Sequence, residues 1–249
     1  MDPVSTVPGS DAPLSEPARI LNTFIAPSKT FTDLSRNASW WGPFILMCLG
    51  IILFMVVMGR QIGFEQIAKN ELAKSPRQSD QFDKLPADQR TQQMQVRAAI
   101  TKGFSYGAPI FALIAYLIAA GVLLGVFNLG AGASVKFKVA LAIVVYSNLP
   151  WLIHAVLGIA SMMAGVDKDG FDINNPVGTN PAYYMEAAGN KFLHGMASAF
   201  DIFAIWTIVL MGIGFACNSK VKRSTSILLV AGTFLVFKLL ISGLAALAG

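Results

Sequence analysis

The sequence predicts an all-α integral membrane protein, a bundle of five transmembrane helices with an N-terminal interfacial helix. Three observations support this: five long apolar stretches, a composition with 54% hydrophobic and only 13% charged residues, and an amphipathic stretch before the first apolar one. An uncharged apolar run of roughly 18 residues is long enough to cross the hydrocarbon core of a bilayer. Lipid offers the peptide group no hydrogen-bond partner, so such runs must be helical.

The first 38 residues divide into a tail and an amphipathic segment. Residues 1–17 contain four prolines among small and acidic residues, which predicts a disordered tail. In residues 18–38, apolar side chains such as Ile20 and Phe24 share one helical face. Pro27 then breaks the helix, and Ser28 can cap a second short helix that carries Phe31 and Leu34. This segment is the predicted interfacial helix. No basic region followed by an apolar run precedes the first span, so that span is expected to act as an uncleaved signal.

The apolar stretches give the bounds of a single membrane domain, residues 18–249. The predicted spans cover residues of about 42–59, 104–129, 139–165, 198–218 and 227–248. The longest connection, residues 60–102, carries Phe64, Ile67 and Leu72 at helical spacing, which predicts a helical extramembrane loop. A disordered polar loop is the alternative.

The positions of lysine and arginine predict the orientation. Lys136 and Lys138 precede the third span and Lys220 and Lys222 precede the fifth, on the same side as the N-terminus. Cytoplasmic loops carry an excess of basic residues, so we expect the N-terminus in the cytoplasm and the C-terminus outside. The connection 60–102 opposes this assignment, because its eight basic and five acidic residues fall on the outer side.

Lys238 is the most informative single residue, because it lies at the middle of the fifth predicted span. A lysine at the centre of a spanning helix costs about 3 kcal/mol on insertion scales, so it should face the bundle interior or a water-filled cavity. Predicted partners come from the third and fourth spans, where Pro150 is expected to kink the helix and free the carbonyl of Tyr146. The predicted intramembrane polar cluster comprises Lys238, Tyr146, Asn148, His154 and Asp201.

This cluster has two interpretations. In the first, Lys238 and the kinked third span form a binding or gating site for an anion or a lipid headgroup. In the second, Lys238 is a structural brace between helices. The odd number of spans shows no inverted repeat of the kind that many transporters contain.

Gly121 and Gly125 form a GxxxG pair in the second span, which permits close approach of another helix. The pair predicts either packing within one chain or a homo-oligomer interface. The rest of the sequence predicts no catalytic, cofactor-binding or metal-binding residues. It contains only two histidines, its two cysteines lie within spans, and it has no HExxH or GxSxG pattern. We therefore expect a protein that is not an enzyme and has no cofactor and no nucleic-acid partner.

Three short motifs resemble the Ypt-interacting protein (Yip) domain family, in particular its bacterial members. They are Trp41-Gly42-Pro43 at the entry to the first span, Tyr146 to Pro150 in the third, and a fourth-span motif that includes Asp201, Phe203 and Trp206 and is followed by Gly212 and Gly214. The resemblance implies five spans, a bacterial plasma (inner) membrane location and a role without catalysis. Eukaryotic members of the family engage Rab-type GTPases and act in vesicle traffic.

Two functions follow as hypotheses. The first is a membrane-organising or partner-recruiting factor that contacts membrane lipids and a protein at its cytoplasmic face. The second is a small transporter or channel with an intramembrane site around Lys238.

Overall fold

The computed structural model describes residues 12–186 and 189–248, and this part of the chain contains helices and no β-strand. A π-helical turn, Val126–Gly130, extends one helix, and two 3₁₀ turns cover Pro181–Tyr184 and Ser198–Phe200. The α-helices are α1 (Glu16–Ile25), α2 (Pro27–Leu34), α3 (Trp41–Gln61), α4 (Phe64–Ala73), α5 (Pro76–Asp83), α6 (Ala87–Gly125), α7 (Phe137–Ser147), α8 (Pro150–Met163), α9 (Lys191–Ala197), α10 (Ile202–Asn218) and α11 (Arg223–Ala248).

Four of the described helical segments are long and apolar enough to cross a membrane: Trp41–Gln61, Ala87–Gly130, Phe137–Met163 and Arg223–Leu247. A fifth candidate, Lys191–Phe200 followed by Ile202–Asn218, is bent by 57° at Asp201. The protein is therefore a multi-pass membrane protein, and its described residues contain four candidate spans, or five if the bent pair is one span. The bend arises because Asp201 is in an extended conformation, φ −69° and ψ 134°, and starts α10 as its N-cap.

The second spanning helix is much longer than the membrane requires. Its 44 residues, Ala87–Gly130, correspond to about 66 Å, whereas the hydrocarbon core is only about 30 Å thick. The first part of α6 therefore projects from the membrane. There α4 packs along it, and Ala68, Leu72 and Met94 form a small buried cluster. The connection between the first two spans thus consists of helices that pack on one another.

The third span is broken where Pro150 was expected to kink it, between α7 and α8. The expectation that the carbonyl of Tyr146 would be free is wrong. Since Pro150 has no N–H, the chain tightens by one residue and the N–H of Leu149 donates to that carbonyl at 3.1 Å. The carbonyl therefore needs no ammonium partner.

The N-terminal segment is divided at Pro27, as the sequence predicts. It forms two helices, α1 and α2, that meet at Ala26, and we call them the N-terminal hairpin. Phe31 and Leu34 of α2 are fully buried in the main core, between α10 and α7. The hairpin is therefore inserted into the bundle, because its apolar face packs on neighbouring helices and not only on lipid.

The expected tail, residues 1–17, lies partly outside the described residues. Residues 1–11 are not described, and Ala12 to Leu14 contain no helix. Ser15 is the N-cap of α1, with its hydroxyl accepting from the N–H of Ala18 at 3.4 Å, so Glu16 and Pro17 are helical. The membrane domain thus begins slightly before residue 18.

The glycines of α6 and those of α10 differ in how closely the rest of the chain packs against them. A Cβ atom at Gly121 or Gly125 would meet no atom within 4 Å, so nothing in the described chain packs on this pair. A Cβ at Gly212 would instead lie 2.6 Å from the Cα of Ile227, and one at Gly214 would lie 2.5 Å from the Cγ2 of Ile143. The close packing of α10 on α11 and α7 therefore depends on Gly212 and Gly214.

These surroundings predict opposite effects of the same substitution. We expect Gly212→Ala to lower the free energy of unfolding by about 1 to 3 kcal/mol, since the new methyl group meets the backbone of α11. Gly121→Ala should change it by less than about 1 kcal/mol and in the stabilising direction, because alanine favours the helix. Thermal unfolding in detergent measures both, and equal effects of the two substitutions would contradict the packing described here.

Candidate functional site

Two groups of polar side chains lie at opposite ends of the bundle. One end, the N-terminal face, carries the N-terminal hairpin and the short connections 131–136 and 219–222. The other end, the loop face, carries the connections 62–86 and 164–201 and the end of α11. Charged side chains are buried or partly buried at each face.

A buried ion pair lies inside the N-terminal hairpin. Arg19 of α1 is 2% exposed, and its Nε donates to Oδ2 of Asp33 in α2 at 2.7 Å. Glu16 lies 3.5 Å from the same guanidinium and accepts a hydrogen bond from the hydroxyl of Tyr146 at 2.7 Å. These four residues, which we call the Arg19 cluster, join the hairpin to α7.

The backbone carbonyl of Arg19 also accepts hydrogen bonds from side chains. The hydroxyls of Thr23 and Thr30 both donate to the carbonyl of Arg19, at 2.8 and 2.9 Å. Burial alone would lower the pKa of Arg19, but the hydrogen bond and charge of Asp33 outweigh it and raise that pKa above its ordinary value. The guanidinium of Arg19 therefore remains charged, and both it and the backbone carbonyl of Arg19 have hydrogen-bond partners.

The residues that carry the family-like motifs hold this hairpin in place. Gly42 lets α1 approach, because a Cβ there would lie 2.7 Å from Oε2 of Glu16. Trp206 of α10 packs edge-on against Phe24 with ring centroids 5.8 Å apart, and Gly214 leaves room for the ring of Phe31. The motifs are thus scattered along the sequence but meet at one interface between the hairpin and the bundle.

Three further motif residues lie in the first turns of α3 and α10. Trp41 stacks on Trp40, with ring centroids 4.1 Å apart, and Pro43 is buried in the first turn of α3, where its missing N–H costs no helical hydrogen bond. Phe203 is buried in the first turn of α10 and packs edge-on against the ring of His154.

A polar cavity of about 510 Å³ lies at the loop face, between the connection 164–201 and α11. Lys238 reaches into it and donates to Oγ of Ser198 at 3.1 Å, and Lys191 donates to Oγ of Ser75 at 3.1 Å. Its wall also includes three acidic side chains and two histidines, namely Glu71, Asp172, Asp201, His154 and His194.

The carboxylates of this cavity already have partners. Asp201 accepts from the N–H of Phe203 at 2.8 Å, from Nδ2 of Asn180 at 3.0 Å and from the hydroxyl of Thr179. Glu71 and Asp172 both accept from Nζ of Lys74, each at 2.6 Å. The lysines at 191 and 238 are therefore the cations of the cavity that lack a direct carboxylate partner among the described residues.

The structure divides the polar cluster that the sequence predicts. Lys238, His154 and Asp201 line the polar cavity together. Tyr146 instead belongs to the Arg19 cluster at the other face. Asn148 donates to the carbonyl of Val144 one turn earlier and lines an apolar groove between the two faces. The break at Pro150 explains this separation, because residues before it lie towards the N-terminal face and residues after it lie towards the loop face.

Sequence analysis did not identify Arg19, Asp33, Asn180 or Lys191. Arg19 and Asp33 are ordinary charged residues of an amphipathic stretch, and their pairing depends on how α1 folds onto α2. A weak signal existed, because Arg19 and Thr23 fall on one helical face beside apolar residues. Asn180 and Lys191 lie in a connection whose path across Lys238 the sequence does not show. Among the described residues, no group of three or more histidine, cysteine, aspartate or glutamate side chains could hold a metal ion.

The Arg19 cluster yields a stability prediction. Asp33→Ala should lower the free energy of unfolding by about 3 to 5 kcal/mol, because it leaves the guanidinium of Arg19 buried without a counter-charge. The double substitution Arg19→Met with Asp33→Leu should recover most of this loss. Thermal unfolding in detergent measures all three proteins.

An exposed pair provides the control. Lys69 and Glu65 lie 3.0 Å apart with side chains 51% and 61% exposed, so Lys69→Ala should change the free energy of unfolding by less than about 1 kcal/mol. A similar loss in Asp33→Ala and Lys69→Ala would show that the buried pair contributes no more than a surface pair.

Comparison with known proteins agrees with this architecture. The chain is 21% identical over 228 residues, which is 90% of each sequence, to the membrane protein YknW of Bacillus subtilis (strain 168). No solved structure matches the chain. A model of the Yip1 domain matches residues 21–245, and this range includes α10, most of α11 and all the motif residues that contact the N-terminal hairpin. The chain therefore belongs to the Yip1 domain family of membrane proteins.

Proposed function

We propose that this protein is a non-enzymatic factor that organises a membrane or recruits a protein partner, and that the partner binds the N-terminal face. The observation that carries the proposal is the insertion of the N-terminal hairpin. The buried Arg19 pair and the contacts at Gly42, Trp206 and Gly214 fix α1 and α2 against the spans. A fixed surface of this kind presents a constant set of side chains to a partner.

The charge of the N-terminal face supports an acidic partner. The lysines of this face are exposed and come from α2, from the start of α7 and from two connections: Lys29, Lys138, Lys136, Lys220 and Lys222. Its acidic residues Glu16 and Asp33 are committed to the Arg19 cluster. The exposed surface is therefore positive, and such a surface attracts acidic proteins and anionic lipid headgroups.

Exposed apolar side chains add a second kind of contact. Leu21 and Ile25 of α1 are 60% and 70% exposed, although the same helix buries Arg19 and Thr23. A face that exposes both lysines and apolar side chains fits a partner whose surface carries acidic and apolar residues.

The first experiment is affinity isolation from native membranes in lipid-preserving particles, followed by quantitative mass spectrometry. The double substitution Lys220→Glu with Lys222→Glu reverses the charge of one exposed connection without touching the core. We expect it to lower recovery of a stoichiometric partner by about tenfold, since rim charges govern electrostatic association.

The matched control is Lys84→Glu with Arg90→Glu, two exposed basic residues near the loop face. This control should retain the partner. Equal recovery with all three proteins, or equal loss in both variants, would contradict recruitment through the N-terminal face. Thermal unfolding of each variant verifies that the bundle is intact.

The proposed orientation places the N-terminal face in the cytoplasm, the C-terminus outside, and the protein in the bacterial plasma membrane. It rests on the lysines of the N-terminal face. Reporter fusions after residue 134 and after residue 178, in opposite connections, test it. Activity of a cytoplasmic reporter at the second site and not at the first would overturn the orientation.

A small transporter or channel is the second candidate function, because the polar cavity surrounds Lys238. The groove next to this cavity has Tyr116, Asn148, Thr207 and Thr233 as its polar side chains and contains no charged residue. That lining supports a conduction path less well than it supports binding of an apolar group. If transport is nevertheless the function, Lys238→Leu should abolish substrate flux into proteoliposomes while thermal unfolding shows a folded protein.

We also propose a homo-oligomer through Gly121 and Gly125, because the open surface beside both glycines leaves room for the helix of a second copy. Gly121→Leu should then reduce crosslinking between copies in native membranes. Unchanged crosslinking would reject this interface.

A further inference from the structure

We propose that the loop face binds one anionic phospholipid, with the headgroup in the polar cavity beside Lys238 and Lys191 and an acyl chain in the adjoining apolar groove. The inference is independent of the proposed function, which concerns the opposite face. It rests on the adjacency of the two cavities, which share Trp151 as a lining residue, on the charges of the first and on the lining of the second.

The two cavities meet at α11 and at Trp151. The polar cavity and the apolar groove each have a volume of about 510 Å³, and Trp151 lines both. On α11, Lys238 lines the first, whereas Phe234 and Phe237 line the second. A ligand that occupies both spaces must therefore be charged at one end and apolar at the other.

The charges of the polar cavity favour an anion. Asp201, Glu71 and Asp172 are each held by the donors described above, whereas Lys238 and Lys191 donate only to serine hydroxyls. Asp201 attracts Lys238 at longer range but forms no ion pair with it. His154 and His194 add donors and no negative charge. A phosphate group can accept hydrogen bonds from both ammonium groups.

An unpartnered acceptor in the wall indicates a hydroxyl on the headgroup. Asn180 is 6% exposed, and its Nδ2 donates to Oδ1 of Asn175 and to Oδ2 of Asp201. These two acceptors fix the orientation of the amide, and its Oδ1 has no hydrogen-bond donor among the described residues. A buried acceptor without a donor is unfavourable, so a ligand hydroxyl would satisfy it. Phosphatidylglycerol combines an anionic phosphate with hydroxyl donors.

The apolar groove suits an acyl chain. Its lining comes from α6, α7, α8, α10 and α11 and includes Ala119, Val122, Val144, Met211 and Phe234. Val122 and Phe237 are 42% and 53% exposed, so the groove opens towards the lipid around the bundle. A chain can therefore enter from the membrane without crossing the core.

The test uses the full chain in nanodiscs of phosphatidylcholine with a minor share of phosphatidylglycerol, and native mass spectrometry then measures which lipid the released protein retains. We expect selective retention of phosphatidylglycerol. Lys238→Met and Lys191→Gln should each weaken retention about tenfold, which corresponds to the loss of one charge-assisted hydrogen bond. Lys84→Met, an exposed lysine that lines neither cavity, should leave retention unchanged.

Ala119→Phe distinguishes a lipid from a free anion, because it narrows the groove and leaves the polar cavity unaltered. Weaker retention of phosphatidylglycerol in this variant supports the lipid. Competition by soluble glycerol 1-phosphate together with unchanged retention in Ala119→Phe would overturn the lipid assignment in favour of a free phosphate ester. Equal retention of phosphatidylcholine, or full retention in both lysine variants, would overturn the proposal altogether.

Discussion

The ion pair between Arg19 and Asp33 is the interaction on which the architecture of the N-terminal face depends. A charged pair with both side chains nearly inaccessible is tolerable only if each charge keeps its partner, and the pair is therefore stable only while α1 and α2 remain folded together. Because Glu16 of the same cluster bonds Tyr146 in the third span, the hairpin cannot leave without exposing both the ion pair and the buried ring of Phe31. The hairpin is consequently part of the membrane bundle.

This dependence explains the spacing of the family-like motifs. Gly42 belongs to α3, whereas Trp206 and Gly214 belong to α10, yet each contacts or makes room for a side chain of the hairpin. Small residues permit close approach, and an aromatic ring fills the remaining space. The motifs therefore describe a docking surface within the chain and not a reaction centre.

The two faces of the bundle differ in how their charges are balanced. Among the described residues of the N-terminal face, Asp33 is buried, Glu16 is paired with Arg19 and the lysines are exposed, so the surface is positive. At the loop face the carboxylates are held by neighbouring donors, while Lys238 and Lys191 line a cavity. The break at Pro150 separates the two regions, with Tyr146 on one side and His154 on the other. A protein contact at one face and a lipid site at the other can therefore coexist in one chain.

The sequence by itself determined the membrane class, the positions of the long apolar helices and the break at Pro150, because these follow from local hydrophobicity and from the missing N–H of proline. It also indicated that Lys238 faces a cavity and not lipid, since a lysine at that depth is costly there. Only the tertiary structure determines which charged and polar side chains contact each other. Arg19 and Asp33 are 14 positions apart, and Lys238 meets Ser198 across 40 positions. Such pairs depend on how helices pack and how a connection folds back over them, and no local pattern of residues encodes that geometry.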